Sequence, residues 1–232
     1  MRTILLAAGL GTRLSPLTNN KPKCLMPING QPLLDIWLEA LTEVGVGPFL
    51  INTHYLSNQV VNYIETSKYS KNVTLVYEPI LNGTAGTLIK NLSFFNGEDG
   101  LLIHADNYCL EDLTLLINAH NNRPSHCVFT MLTFRSENPS SCGIVEIDEK
   151  GIVTGFYEKH PNPPNNLANG AIYILSSKLL NILELMHGDA IDFSKDIIGN
   201  FLGQIYTFET KKLFLDIGSV ENYHKANANP RL

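Results

Sequence analysis

The chain has 232 residues, 44% of them hydrophobic and 17% charged, with a mean hydropathy of +0.00. Those values fit one large domain or two small ones with an ordinary core and exclude a disordered chain or a coiled coil. The net charge of −5 argues against nonspecific nucleic-acid binding, which needs surplus cations. Charge is also uneven: residues 1–34 carry Arg2, Arg13, Lys21 and Lys23 and no acid before Asp35. A cationic start on an acidic protein points to an anion held near that start.

Short apolar, β-rich runs alternate with helix-period segments. Thr3–Ala8 predicts a buried strand. Over 31–44, Leu34, Trp37, Leu38, Leu41 and Val44 recur at helical spacing, and Gly45 supplies a stop. Residues 49–53 predict a strand and 57–69 a helix with Ser57 as N-cap. A strand over 73–78, a helix over 84–92, a strand over 101–105 and a helix over 110–120 follow. Such β-α repetition predicts a three-layer α/β/α, Rossmann-like fold with a mostly parallel mixed sheet. After His126 the pattern changes. Residues 128–134, 143–148 and 152–157 are strand-like runs in close succession, the last two separated by the turn Glu149-Lys150-Gly151. They predict a small antiparallel subregion. Pro161–Asn166 reads as a loop, 171–175 and 212–215 as strands, and 177–186 and 219–226 as helices.

The four cysteines, Cys24, Cys109, Cys127 and Cys142, form no CxxC pair and read as buried free thiols in a reducing compartment. The seven histidines lack zinc-ligand spacing. Residues 1–8 are apolar but too short for a secretory core or a membrane span. A soluble, cytoplasmic protein with no membrane partner is expected.

The first strand runs into Ala7-Ala8-Gly9-Leu10-Gly11-Thr12-Arg13-Leu14. Glycines directly after a strand let backbone N–H groups approach a phosphate, because no Cβ blocks them. The dinucleotide fingerprint needs a third glycine where Leu14 stands, and the Walker loop needs Gly-Lys-Ser/Thr where Thr12-Arg13 stands. Neither motif is satisfied.

The longer string Gly9-x-Gly11-Thr12-Arg13-Leu14-x-Pro16-Leu17-Thr18…Lys21-Pro22-Lys23 closely resembles the signature of the sugar-1-phosphate nucleotidyltransferases. In order along the chain follow Gly83-Thr84-Ala85-Gly86, Ala105-Asp106-Asn107, Gly143-Ile144-Val145-Glu146, Glu158-Lys159, Asn169-Gly170-Ala171-Ile172-Tyr173 and Leu215-Asp216-Ile217-Gly218-Ser219. The resemblance implies transfer of a nucleoside monophosphate from a nucleoside triphosphate to a sugar 1-phosphate, with release of pyrophosphate. It implies one catalytic domain over 1–232, with a nucleotide-binding part at about 1–125 and a sugar-binding part at about 126–220. Arg13 would grip the triphosphate, Lys23 would neutralise charge at the α-phosphate, and Asp106 and Asp216 would hold Mg2+. Leu6, Ala7, Ala8, Gly9, Gly11, Thr12, Glu78, Gly83 and Thr84 are the remaining nucleotide-side positions. Gly143, Glu158, Lys159 and Asn169 are the sugar-phosphate side. Tyr173 and Phe214 read as core aromatics.

Ala8, Ala105 and Phe214 stand where the family often has Gly, Gly or Ser, and Trp, and His160 stands where Pro is frequent. None of these departures removes a charge. The run from Gly83 to Leu88 looks most like mannose-1-phosphate guanylyltransferases and related heptose-1-phosphate enzymes, so GTP with a manno-configured sugar phosphate is expected. UTP with an amino-sugar 1-phosphate, CTP with phosphocholine, and an inactive nucleotide-sugar sensor are the alternatives. A homo-oligomer stays open. By its length the chain is expected to hold the catalytic core, without the β-helix or acetyltransferase domain that larger relatives append.

Overall fold

The structure, a computed structural model, describes residues 1–185 and 190–230. In chain order its strands and helices begin with β1 (Arg2–Leu6), β2 (Pro27–Ile28), β3 (Gln31–Pro32), α1 (Leu33–Glu43), β4 (Phe49–Thr53), α2 (Ser57–Thr66) and β5 (Val73–Tyr77). Next come α3 (Gly83–Lys90), β6 (Gly100–His104), β7 (Asn107–Cys109), α4 (Leu113–Asn121) and β8 (Phe129–Arg135). The chain continues with β9 (Gly143–Ile147), β10 (Val153–Glu158), β11 (Leu167–Leu175), α5 (Ser177–Leu185), β12 (Ile205–Glu209), β13 (Phe214–Asp216) and α6 (Val220–Asn227). The chain folds as two compact units. One comprises Met1–Leu81, Ile103–Leu113 and Lys212–Leu232; the other comprises Asn82–Leu102 and Thr114–Lys211.

The first unit is built on parallel pairing. β1 pairs β4 with Thr3 opposite Phe49 and Leu6 opposite Asn52, and β4 pairs β5 with Phe49 opposite Val73. Every residue of β4 is buried, as expected for a parallel strand covered on both faces. Helix α1 buries Leu33, Leu34, Ile36, Trp37, Leu38 and Leu41, the apolar stripe predicted from its spacing. It starts two residues later than predicted, because Gln31 and Pro32 pair with Ile28 and Pro27 in a hairpin. The turn is Asn29-Gly30, with φ of 50° and 87°, the Asn-Gly combination that tight hairpins favour. Ser57 is not the cap of α2: Leu56 takes that place in the left-handed region, with no side-chain hydrogen bond. Strands β7 and β13 form an antiparallel ribbon pairing Cys109 with Phe214, Tyr108 with Leu215 and Asn107 with Asp216. Trp37 in α1 donates its indole N–H to the Asn107 carbonyl at 2.8 Å, which fixes the ribbon against the helix.

The second unit is mostly antiparallel. Nine-residue β11 pairs β8, from Leu167 opposite Arg135 to Leu175 opposite Phe129. β9 and β10 form the predicted hairpin, with Gly143 opposite Glu158. Strand β12, which sequence patterning did not identify, runs parallel to β8. The predicted strand at 171–175 therefore extends back to Leu167 and takes in Asn169. Phe129 makes edge-on contacts with Tyr173, Phe193 and Phe201, a buried aromatic cluster of the kind that dominates core energetics. Parallel pairing in one unit and mainly antiparallel pairing in the other make this a mixed α/β fold. The predicted helix at 177–186 ends at Leu185; Met186 lies outside the described residues. Among the described residues, no helix is long and apolar enough to cross a membrane.

Candidate active site

In the first unit, β1 ends at Leu6 and the chain enters the glycine loop. The Ala7 amide donates to Asn52 Oδ1 at 2.7 Å, and Asn52 Nδ2 donates to Glu78 Oε1 at 3.1 Å. Asn52 and Glu78 are both buried, so each loses water and keeps a polar partner, as burial requires. The two segments expected to flank the base thus share one carboxamide. Sequence reasoning missed Asn52. Its place next to the last residue of β4, opposite Leu6 in the pairing of β1 with β4, is set by strand pairing, which leaves no local signal in the sequence.

Gly11 has a φ of 67°, and a Cβ there would approach the Thr18 methyl to 3.0 Å. The Thr18 hydroxyl donates to the Gly11 carbonyl at 2.7 Å. Gly11 is therefore demanded by the fold of the loop. At Gly9 a Cβ would meet nothing within 4 Å, so packing does not explain that glycine. Thr12–Leu14 forms a short turn that buries Leu14 and exposes Arg13.

The ribbon of β7 and β13 brings Asp106 and Asp216 together. Ile217 N–H donates to the Asp106 carbonyl at 3.0 Å, and Asn222 Nδ2 donates to the Asp216 carbonyl at 2.8 Å. Ser219 caps α6 by accepting from the Asn222 amide. Lys23 Nζ donates to Asp106 Oδ2 at 2.6 Å and to Asp216 Oδ1 at 3.1 Å. The Arg13 guanidinium lies 3.4 Å from Asp216 Oδ2. Burial pushes the Asp106 carboxyl up, but Lys23, His104 and the Lys23 hydrogen bond outweigh it and hold the group below the usual carboxylate range. Residues 13, 23, 106 and 216, far apart in sequence, form one charged cluster. A Cβ on Gly218 beside it would come within 2.9 Å of the Arg13 guanidinium and both Asp216 carboxylate oxygens, so those side-chain ends would have to shift. Cys24 lies next in sequence to Lys23, but burial pushes its thiol up to about 12, so it is not a nucleophile at neutral pH. All four cysteines are free, with Cys109 and Cys142 half-buried rather than buried.

The second unit holds the remaining positions. Gly143 and Glu158 face each other across β9 and β10; a Cβ on Gly143 would sit 2.7 Å from Glu158 Oε2. Lys159, with a φ of 48°, places Nζ 3.6 Å from Glu158 Oε1. Asn169 Nδ2 donates to the Tyr173 hydroxyl at 2.7 Å, and its Oδ1 accepts from the Ala171 amide. That side chain braces an irregularity in β11 between Asn169 and Tyr173. Tyr173 and Phe214 are buried, as core aromatics should be. Gly83 and Thr84 pack on the 191–193 segment: a Cβ on Gly83 would meet the Ile191 carbonyl at 2.3 Å, and the Thr84 hydroxyl accepts from the Phe193 amide at 2.7 Å, while Asn169 Nδ2 reaches the next residue, Ser194, at 3.5 Å. The close approach that Gly83 allows here is to the protein's own backbone.

The description "Nucleotidyl transferase" belongs to a family model that matches residues 2–231. A putative mannose-1-phosphate guanyltransferase of Sulfolobus acidocaldarius is 29% identical over 97% of this chain and 61% of that protein. The mannose-1-phosphate guanylyltransferase catalytic subunit beta of Drosophila melanogaster is 27% identical over 96% of this chain and 60% of that protein. The chain thus spans about three fifths of the length of these curated relatives. The crystal structure of HddC from Yersinia pseudotuberculosis, complexed with GMP-PN, superposes with a TM-score of 0.81, at 26% identity over 98% of both chains. Both the match along nearly the whole chain and the glycine loop leading to a Lys-Asp-Asp cluster give one answer: this chain belongs to the nucleotidyl transferase family.

Proposed function

We propose that the chain transfers a nucleoside monophosphate from a nucleoside triphosphate to a sugar 1-phosphate, releasing pyrophosphate, with GTP and a manno-configured sugar phosphate as substrates. One observation carries the reading: Lys23 lies between Asp106 and Asp216 at 2.6 and 3.1 Å. Such a cluster has no general base aimed at a hydroxyl, and the reaction needs none. A phosphate monoester has a second pKa of about 6 and is already mostly ionised at neutral pH. Catalysis then consists of holding two anions in line and neutralising the charge that develops. The relatives named mannose-1-phosphate guanyltransferase support guanylyl transfer.

The residues divide the work by reach. Lys23, buried and rooted in a short turn, supplies a point charge for the α-phosphate. Arg13, exposed and forked, grips the β- and γ-phosphates and the departing pyrophosphate. The backbone from Leu6 to Thr12, braced by Asn52, carries the nucleoside, with the exposed side of Gly9 left free for close approach. Asp106 and Asp216 fit a magnesium ion: two partly exposed carboxylates converge on one cation position, and this metal takes one or two carboxylates with phosphates and water. When bound there, the ion neutralises phosphate charge. Glu158 accepts from sugar hydroxyls, Lys159 faces the sugar phosphate, and Gly143 leaves room beside them. Asn169 acts through Tyr173 and the bend of β11.

A pyrophosphate-release screen tests the assignment, with GTP, UTP, CTP, ATP and dTTP against sugar 1-phosphates and phosphocholine. GTP with mannose 1-phosphate or a manno-heptose 1-phosphate is expected to give the fastest release. Turnover only with UTP and an amino-sugar 1-phosphate moves the specificity, and turnover only with CTP and phosphocholine overturns the sugar reading. Release with no pair favours an inactive sensor. Lys23→Ala and Arg13→Ala are each expected to lose more than about 99% of turnover, the scale of a lost charge-stabilising donor, while their circular dichroism stays that of the parent.

A further inference from the structure

Both carboxylates of the candidate metal site are already engaged by a cation that belongs to the protein. Lys23 spends two of the three hydrogens of its ammonium on Asp106 Oδ2 and Asp216 Oδ1. Its side chain is 7% exposed, against 36% for Asp106 and 44% for Asp216. A divalent ion bonded to the same oxygens would sit within a few ångströms of that ammonium, where like charges repel by many times RT even at an effective dielectric of about 20. One of the two cations must give way.

The backbone decides which. Asp106 and Asp216 are fixed by the β7–β13 ribbon, by the bond from the Ile217 amide to the Asp106 carbonyl and by Asn222 on the Asp216 carbonyl. A crowded Gly218 stands beside Asp216. Lys23 hangs on a flexible four-carbon stem that can swing to another anion. A triphosphate offers that anion. We infer that Lys23 is a built-in counter-cation that keeps divalent metal off the Asp106–Asp216 pair until a nucleoside triphosphate draws it away, so that metal and nucleotide enter together. The inference rests on the proposed function for the ligands' identity; it adds the order in which they bind. Because coupling is reciprocal, nucleotide must tighten metal binding by the factor by which metal tightens nucleotide binding.

Free Mn2+ measured by electron paramagnetic resonance, during titration with the full chain, reads this coupling without turnover. For the parent protein, Mn2+ alone is expected to bind weakly, and a non-hydrolysable GTP analogue to tighten it by at least about tenfold, or about 1.4 kcal/mol. Lys23→Met is expected to bind Mn2+ alone at least about tenfold more tightly than the parent and to lose most of the nucleotide coupling. Lys23→Gln is the second variant, and a larger Mn2+-induced rise in melting temperature than in the parent is the companion readout. Asp106→Asn should abolish Mn2+ binding in either background. Should both Lys23 variants bind Mn2+ no more tightly than the parent, or the parent bind it tightly without nucleotide, the gating role is overturned while the pyrophosphate screen still stands. Failure of every protein to bind Mn2+, with or without the analogue, overturns the gating together with the metal assignment.

Discussion

Asn52 uses both ends of its carboxamide, accepting from the Ala7 amide and donating to Glu78. Substitution with leucine would leave a half-buried amide and a buried carboxylate each short of a partner, at about 1–3 kcal/mol for the buried group and less for the other. Asn52→Leu is therefore expected to raise the KM for the triphosphate about tenfold or more, with a much smaller change in the KM for the sugar phosphate. Steady-state kinetics on both substrates distinguishes this from a general loss of folded protein, which would lower kcat and spare both KM values. Asp106 has its own signature. Its carboxyl is held below the usual range, so its folded-state stabilisation is fully present above about pH 4 and is lost as pH falls through the depressed value. The stability gap between the parent and Asp106→Asn should accordingly narrow below about pH 4, as followed by urea unfolding. The charged residues of the cluster were legible because they stand in recognisable strings. Asn52 was not, since one asparagine at a strand end has many reasons to be there.

At the scale of elements, apolar periodicity placed β1, α1, β4, α2 and β5 to within a few residues, because burial on a parallel sheet writes itself into the sequence. It misplaced what depends on pairing partners. β7 is three residues long and has meaning only opposite β13, so no local pattern announces it. β12 alternates Ile205 and Thr207 with half-buried positions, a weak signal beside the stronger runs around it. The Asn29-Gly30 hairpin was readable and was passed over. Gly83 carries a packing demand that no local pattern announces: its φ of 76° and the Ile191 carbonyl, which would lie 2.3 Å from a Cβ, exclude any side chain. Gly83→Ala must strain the backbone at a left-handed position, typically about 1–2 kcal/mol, and also push the 190–191 segment away. A total loss of about 3 kcal/mol is expected, read as a drop in the urea midpoint with an unchanged slope. An unchanged midpoint would mean that the 190–191 segment yields freely.

For the whole molecule, the family resemblance implies a division by ligand at about residue 125, and the compact units are a separate matter: the chain leaves the first after Leu81, returns at Ile103, leaves again at Thr114 and comes back at Lys212. Long-range pairing of this kind has no local signature. Acid lability follows from a group that the sequence did not single out. His120 is fully buried, with Nδ1 3.0 Å from the Thr130 hydroxyl and Nε2 3.2 Å from Asp99 Oδ2. Burial, then the Arg123 guanidinium, push its pKa down to about 4, and Asp99 pulls only partly the other way. An unfolded histidine takes up its proton near pH 6.5; the folded one does not until about 4. Between those values the unfolded state binds more protons, so stability falls as pH falls. Over the full window the loss amounts to about 3 kcal/mol. Asp99, raised by burial but drawn below its usual range by the Ser177 amide and His120, weakens next, below about pH 4. Unfolding free energies measured from pH 8 to 4 should therefore stay level down to about pH 6.5 and then decline in the parent. His120→Gln, less stable at pH 7, should lose much less over the same range, and equal slopes would show that His120 is protonated in the folded protein.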